Sequence, residues 1–197
     1  MLIFKEDIVL NGYTCIVPSL GVGNVSQLST DLIISTLKLK QVATGFHKAL
    51  IPIFGPSAFQ HEPDSFTNAL NVYIDSSKKL LVFQIRSPLI GKHTKDFLNN
   101  LVEFLKKSQV SKINSGEEPV FGDGWGQKLL KICSASELPA VMFYKYSAEG
   151  DNTLDAAMLV MEVNKYVPLF EDSKQPNLIR PTSWEMLFGN EPIGTMY

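Results

Sequence analysis

The chain has 197 residues, with 18 Lys and Arg, 20 Asp and Glu and 3 His, which gives a formal net charge of -2. A hydrophobic content of 45% and a charged content of 19% are those of an ordinary globular protein, and this length fits one domain. The slightly acidic balance gives no electrostatic reason to bind nucleic acid or an anionic membrane. We therefore expect protein partners, with no nucleic acid and no membrane among them.

The cysteines and the N-terminal residues indicate the cellular compartment in which we expect the protein. Cys15 lies in an apolar run and Cys133 stands far from it, so a disulfide is possible but a reducing compartment fits better. Lys5, Glu6 and Asp7 interrupt the stretch where a signal peptide needs apolar residues. No run of eighteen apolar residues occurs. We expect a cytoplasmic and nuclear protein.

The first half of the chain has the pattern of an α/β fold. The apolar run Tyr13–Val17 predicts a buried strand, and apolar residues at helical spacing predict a helix over about 24–38. Val42–Phe46 and Leu50–Phe54 are two further strand candidates. The stretch from Gly55-Pro56 to Pro63-Asp64 predicts a loop.

A hairpin and an amphipathic helix follow. Asn71–Asp75 and Leu80–Arg86 read as two strands joined by a polar turn. The stripe of apolar residues over Thr94–Ser108 predicts a helix with one buried face, capped by Thr94.

The segment Val110–Gly126 departs from this pattern. An α/β chain should place another buried strand after the helix, but no run of four apolar residues occurs here. We predict an irregular, abbreviated segment and one missing core strand. A product that lacks this strand and folds poorly is an alternative interpretation.

The last third resumes regular structure. Ala140–Tyr146 predicts a strand, and a helix follows with Asn152 and Asp155 placed like a capping pair. A short helical piece is expected over Ser183–Phe188, and residues 190–197 form an exposed tail. Together these predicted strands and helices indicate a single α/β domain over residues 1–189, with a mixed β-sheet and helices on both of its faces.

Few residues point to catalysis or to a cofactor. The turn Gly21–Asn24 between a strand and a helix lacks the third glycine of a dinucleotide-binding loop, because Ser26 stands there. His47, His61 and His93 have neither a second His four residues on nor a Cys pair, so we expect no metal site. We expect no cofactor, no catalytic residue and a protein that acts by binding. The alternative is an enzyme, a hydrolase or phosphorylase, that acts at the Gly21–Asn24 turn.

Four separated segments resemble one known family. They are Val22–Leu37 with Gly23, Gln27 and Asp31; Gln84–Ser87; Ser147–Ala156 with Glu149-Gly150-Asp151-Asn152; and Ser183–Gly189 with Trp184. In this order along the chain they resemble the proteasome assembly chaperone 2 family. The resemblance implies a non-enzymatic chaperone that forms a heterodimer with proteasome assembly chaperone 1. Such a pair binds proteasome α-subunits, promotes α-ring assembly and prevents off-pathway dimerisation of rings.

This chain departs from the pattern of the family that it resembles at two places. Members of the family carry a further strand and helical region where this chain has Val110–Gly126. Some relatives end in a hydrophobic residue, Tyr and any residue, and that tail inserts between α-subunits. Here Tyr is last instead of penultimate, and the residues of the tail that would bind a partner are Ile193, Thr195, Met196 and Tyr197.

Overall fold

The computed structural model describes residues 2–116, 124–170 and 176–186. The strands in these ranges are β1 Leu2–Phe4, β2 Thr14–Pro18, β3 Lys40–Gly45, β4 Phe54–Pro56, β5 Phe66–Asn68, β6 Leu70–Asp75, β7 Leu80–Ile85, β8 Lys112–Gly116 and β9 Ala140–Phe143. The α-helices are α1 Val25–Leu37, α2 Thr94–Lys107, α3 Trp125–Ala135 and α4 Thr153–Asn164, and short 3-10 turns lie at Val22–Asn24, Gly91–His93 and Thr182–Met186.

Seven of these strands form one mixed sheet in the order β1-β3-β6-β7-β2-β8-β9. The pairs β7-β2, β2-β8 and β8-β9 are parallel, whereas β1-β3, β3-β6 and β6-β7 are antiparallel. The predicted hairpin is therefore present as β6 and β7. The strands β4 and β5 form a separate antiparallel ribbon in which Phe54 lies opposite Asn68 and Pro56 opposite Phe66.

Helices cover both faces of the sheet, as the sequence predicts. One core joins α2 and α3 to the face that carries Cys15 and Phe83, and the other joins α1 and α4 to the face that carries Ile16 and Val82. Neighbouring strand residues point to opposite faces, so each buried strand supplies both cores. The mixed α/β single domain is confirmed.

The expectation of a missing core strand is wrong. Lys112–Gly116 forms β8, which pairs with β2 on one side and with β9 on the other. A strand between two parallel neighbours is usually apolar throughout. This one has a single apolar residue, Ile113, which is 1% exposed, and its backbone pairing on both sides holds it in the sheet. The sheet is continuous, which removes the basis for a product that lacks a strand.

Three local predictions also differ from the structure. Of Leu50–Phe54, only Phe54 lies in a strand, because Pro52 has no amide hydrogen to donate to a sheet. Thr94 does not cap α2: His93 precedes the helix, and the Thr94 hydroxyl donates to the Ile90 carbonyl at 3.4 Å. The helix α3 begins within the stretch predicted to be irregular.

Candidate functional site

The segments that carry the resemblance meet at Asp31, a 3% exposed residue of α1. Its carboxylate accepts hydrogen bonds from Gln84 Nε2 at 2.8 Å, from Arg86 Nη2 at 2.9 Å and from Trp184 Nε1 at 3.3 Å. Side chains from two distant segments thus donate to one carboxylate in a third segment. Because three donors already engage it, this carboxylate is an anchor between α1, the end of β7 and the Thr182–Met186 turn.

The anchor continues across the sheet as a line of buried amides. Gln84 Oε1 accepts from Asn71 Nδ2 at 3.0 Å, and Asn71 Oδ1 accepts from Gln41 Nε2 at 3.0 Å. At the far end, Lys5 Nζ donates to Gln41 Oε1 at 2.7 Å. Burial raises the pKa of Tyr73, whose hydroxyl remains protonated and donates to Gln84 Oε1 at 3.5 Å. Such a buried hydrogen-bonded network favours one arrangement of the strands and helix.

The fourth segment that carries the resemblance, Ser147–Ala156, contacts the start of α1 through Asn152. Its side-chain amide donates to the Gly23 carbonyl at 3.1 Å and to the Ala148 carbonyl at 2.8 Å. One turn further on, Ser29 Oγ donates to the Ala156 carbonyl of α4 at 3.1 Å. All four segments therefore belong to one connected polar framework that holds α1 and α4 against the sheet.

The expected capping pair of Asn152 and Asp155 at the start of α4 is not present in the structure. Asn152 precedes the helix but makes no side-chain capping bond, because its amide is engaged at Gly23. The Asp155 carboxylate instead forms a 3.1 Å ion pair with Lys145.

The Gly21–Asn24 turn has a packing role. Gly23 has a φ of 78°, and a Cβ there would overlap the Asn152 amide nitrogen and lie 2.9 Å from the Ala148 carbonyl oxygen. The glycine thus allows the close approach of the segment before α4, and Asn24 also takes a left-handed conformation, with φ 56°.

A cleft opens beside the polar anchor, between the β4-β5 ribbon and the Thr182–Met186 turn. It encloses about 450 Å³ and is lined by Phe54, Pro56, Thr67, Arg86 and Ser183 among others. A second cleft of about 380 Å³ lies on the other side of Ile53, which lines both. Neither of these two clefts includes a residue of the Gly21–Asn24 turn.

Bulky apolar side chains that line these clefts, or that are next to a lining residue, remain in contact with solvent. We call them the hairpin surface, which is separate from the β6-β7 hairpin: Phe46, Ile51, Ile53, Phe54 and Phe66. Phe54 is 72% exposed and Phe66 57% exposed, although their rings stack with centroids 5.0 Å apart. Contiguous exposed apolar groups of this kind mark places where another molecule binds. The sequence pattern predicts strand and loop for this part of the chain and does not indicate a binding surface.

The ionisable side chains that line the two clefts are locally balanced. Lys48 Nζ pairs with Asp96 Oδ2 at 2.7 Å, and Arg86 pairs with Asp31 at 2.9 Å. Burial lowers the pKa of His47, and the Lys48 ammonium lowers it further, so the imidazole is neutral at pH 7. The hairpin surface is therefore apolar and close to electrically neutral.

The predicted partner-binding residues Ile193, Thr195, Met196 and Tyr197 lie outside the described residues. In the described ranges, no three His, Cys, Asp or Glu side chains are grouped in a way that could hold a metal ion. Of the helices seen there, none has the length and apolar character that crossing a bilayer requires.

Comparison with known proteins supports the resemblance. The sequence model of the PAC2 family matches residues 15–116, which run from the second residue of β2 to the end of β8. Proteasome assembly chaperone 2 of Xenopus tropicalis is 27% identical in an alignment that covers 90% of this chain and 92% of that protein. The protein of the same name from Nematostella vectensis is 31% identical, over 83% of this chain and 93% of that protein.

Solved structures share the fold at low sequence identity. A Thermoplasma acidophilum protein of unknown function superposes with a TM-score of 0.71 at 15% identity, over 83% of this chain and 79% of that one. Pyrococcus furiosus PbaA, described as an archaeal homolog of proteasome-assembly chaperone, superposes with a TM-score of 0.68 at 16% identity, over 87% of this chain and 83% of that one. The family match spans more than half of the sequence and a relative is 31% identical over most of its length: the chain belongs to the PAC2 family.

Proposed function

We propose that this protein is a proteasome assembly chaperone. The observation that carries the proposal is the alignment with relatives named proteasome assembly chaperone 2 over 90% of this chain and more than 90% of theirs. In this proposal the protein forms a heterodimer with proteasome assembly chaperone 1. The pair binds proteasome α-subunits, promotes assembly of the α-ring and prevents rings from dimerising off the pathway.

The physical logic of such a role is the blocking of a self-complementary face. A ring of similar subunits exposes surfaces that pair with those of a second ring, and a bound partner prevents that wrong association. A protein with this task needs exposed surfaces that bind other proteins. The hairpin surface, with three exposed phenylalanines, is such a feature.

The proposed role is non-enzymatic. The acidic residue at the centre of the four segments, Asp31, is saturated by donors from Gln84, Arg86 and Trp184. It therefore supports the framework, and we propose that the protein acts by binding rather than by chemistry.

The C-terminal residues have a proposed role of their own. We propose that Ile193, Thr195, Met196 and Tyr197 contact α-subunits, and that the protein acts in the cytoplasm and nucleus. Deletion of residues 193–197 should reduce recovery of α-subunits and leave recovery of the partner chaperone unchanged. Equal recovery of α-subunits by the full and the shortened chain would remove the tail from the proposal.

The function is tested by affinity purification from cells that express a tagged full-length chain. We expect the tagged protein to recover proteasome assembly chaperone 1 together with free α-subunits, and mature proteasomes in much smaller amount. A tagged protein that is folded, as judged by circular dichroism, yet recovers neither would refute the proposed function.

A further inference from the structure

The turn between β3 and β4 contains a histidine that bonds to the backbone of its own turn. His47 Nδ1 accepts a hydrogen bond from the Ala49 amide at 3.0 Å. The Leu50 amide closes the same turn by donating to the His47 carbonyl at 3.0 Å. Ala49 is 0% exposed, so water does not reach its amide while the turn is closed. The imidazole ring therefore supplies the acceptor that this buried amide needs.

The closed turn is held against the chain that leads into α2. The Ala49 carbonyl accepts from the Ile90 amide at 2.8 Å, and Ile90 directly precedes the short 3-10 turn Gly91–His93. The His47 ring also packs edge-on against Phe97 of α2, with the ring centroids 5.4 Å apart. A change in this turn is therefore transmitted to the first residues of α2.

The bond to Ala49 determines which ring nitrogen of His47 carries the proton. A neutral imidazole has one N–H, and because Nδ1 accepts, the proton is on Nε2. The side-chain amide of Asn100 lies 3.2 Å from Nε2. Since Nε2 donates, the Asn100 amide has its oxygen towards the ring. Only this tautomer satisfies both neighbours of the ring.

Charged and titratable groups face the ring from the turn itself and from the start of α2. Burial lowers the pKa of His47 and the Lys48 ammonium lowers it further, whereas the Asp96 carboxylate raises it. His93 and the N-terminal ammonium group lower this pKa to a smaller extent. Asp96 is itself paired with Lys48 at 2.7 Å. A proton on His47 is therefore less favourable in the closed turn than on a ring that reaches water.

We infer that His47 is an acid-sensitive latch: a proton added to Nδ1 removes the acceptor of the Ala49 amide and releases the turn from the start of α2. In the protonated ring both nitrogens are donors, so the closed turn would place two donors 3.0 Å apart. A buried amide without an acceptor is costly, and the turn opens to let water reach it. Phe46, His47 and Leu50 line the second cleft, so opening changes the shape of that cleft. This device is independent of the proposed function.

The first test identifies the tautomer directly. Full-length protein labelled with ¹⁵N in its histidine rings is studied by NMR at pH 7.5, where the nitrogen shifts distinguish a proton on Nε2 from one on Nδ1. We expect His47 to carry its proton on Nε2. A proton on Nδ1 in the folded protein would overturn the inference, because that nitrogen could not then accept from Ala49.

The second test measures amide hydrogen exchange of the full-length protein by NMR at pH 7.5, 6.5 and 5.5. Rates are expressed as protection factors, which remove the intrinsic dependence of exchange on pH. The protection factor of Ala49 should fall by up to about tenfold from pH 7.5 to 5.5, the limit for a histidine of ordinary pKa in the open turn.

The amide of Val82 in β7 provides the reference for global unfolding, since this residue is 0% exposed in the centre of the sheet. Opening of the turn alone exposes little surface, so Ala49 should be less protected than Val82 and nearly insensitive to low concentrations of urea. If Ala49 has the protection and the urea dependence of Val82, it exchanges by global unfolding and the latch does not exist.

Two variants assign the effect to one ring. His47→Asn keeps an acceptor oxygen for the amide two residues on, as in an Asx-turn, but has no group that titrates in this range. Its Ala49 protection factor should be the same at pH 7.5 and 5.5. The matched control, His93→Asn, removes the neighbouring, partly exposed imidazole and should keep the pH dependence of the parent. Persistence of the pH dependence in His47→Asn, or its loss in His93→Asn, would overturn the inference.

Discussion

The Asp31 carboxylate on α1 and the Arg86 guanidinium, one residue beyond β7, form an ion pair of 2.9 Å. The carboxylate is almost completely buried, whereas the Arg86 side chain is 26% exposed and lines the cleft beside the hairpin surface. The framework that joins the four segments therefore extends to the wall of this cleft. Perturbing the pair should change both the stability and the shape of the cleft.

Asp31→Asn should destabilise the fold strongly. The change leaves Arg86 without its counter-charge and places an amide where Trp184 donates. Because Arg86 keeps some contact with solvent, we expect a loss near the lower end of the range for a broken buried pair, about 3 kcal/mol. Urea unfolding followed by circular dichroism measures it. Glu103→Gln, which breaks the exposed pair with Lys107, is the control and should leave the stability nearly unchanged. Equal effects of the two changes would contradict a central role for Asp31.

Gly23→Ala should loosen the junction between α1 and α4. The left-handed φ of 78° and the clash with the Ala148 carbonyl should together cost roughly 2 kcal/mol or more. Gly21→Ala is the control, since a Cβ there meets nothing within 4 Å and its φ is -128°. Thermal unfolding of the two variants should differ by several degrees. A Gly23→Ala variant as stable as Gly21→Ala would show that the close approach at Asn152 is not required.

Both thiols should be inert in the native protein. Cys15 and Cys133 are fully buried and unpaired with each other. Burial raises the pKa of Cys133 to about 11 and raises that of Cys15 well above its usual value, so only the slow-reacting thiol forms exist at pH 8. An aromatic disulfide reagent should modify neither cysteine at pH 8 in buffer and both in concentrated urea. Rapid modification of the native protein would contradict the assigned core positions.

Acidification should weaken the fold through His47. Because burial lowers the pKa of His47 in the folded state, the unfolded chain binds this proton more readily. The His47 contribution to the free energy of unfolding is complete above about pH 6.5 and is lost as the pH falls through the lowered folded pKa. Urea unfolding of the parent and of His47→Gln at pH 7.5, 6.5 and 5.5 checks this. The parent should lose stability over this interval more steeply than the variant, and parallel curves would contradict the prediction.

The central elements of the fold follow from sequence pattern because their apolar residues are contiguous. The strands β2, β6 and β7 and the helices α1 and α2 lie close to their predicted positions. The strand β8 could not be found this way. Its sequence, Lys-Ile-Asn-Ser-Gly, has one apolar residue, and its place between β2 and β9 depends on backbone pairing with strands distant in the chain.

From the sequence alone, the residues of this framework are recognisable only as four separate segments and not as one site. Nothing local in the sequence brings Asp31 near Trp184, which is 153 residues away. The hairpin surface was missed for a different reason. Pro52 and the Gly55-Pro56 pair mark this part as irregular, and periodicity does not report exposure. The one available signal was the concentration of Phe46, Ile51, Ile53 and Phe54 in a segment with turn residues.

The measurement that tests the central claim most directly is the assembly state of purified α-subunits in the presence of this protein and proteasome assembly chaperone 1. Native mass spectrometry distinguishes free subunits, single rings and paired rings by mass. We predict that the chaperone pair increases single rings that carry the bound pair and reduces paired rings, while either protein alone has little effect. An unchanged distribution of α-subunit species, with no mass that contains this chain, would contradict its assignment as a proteasome assembly chaperone.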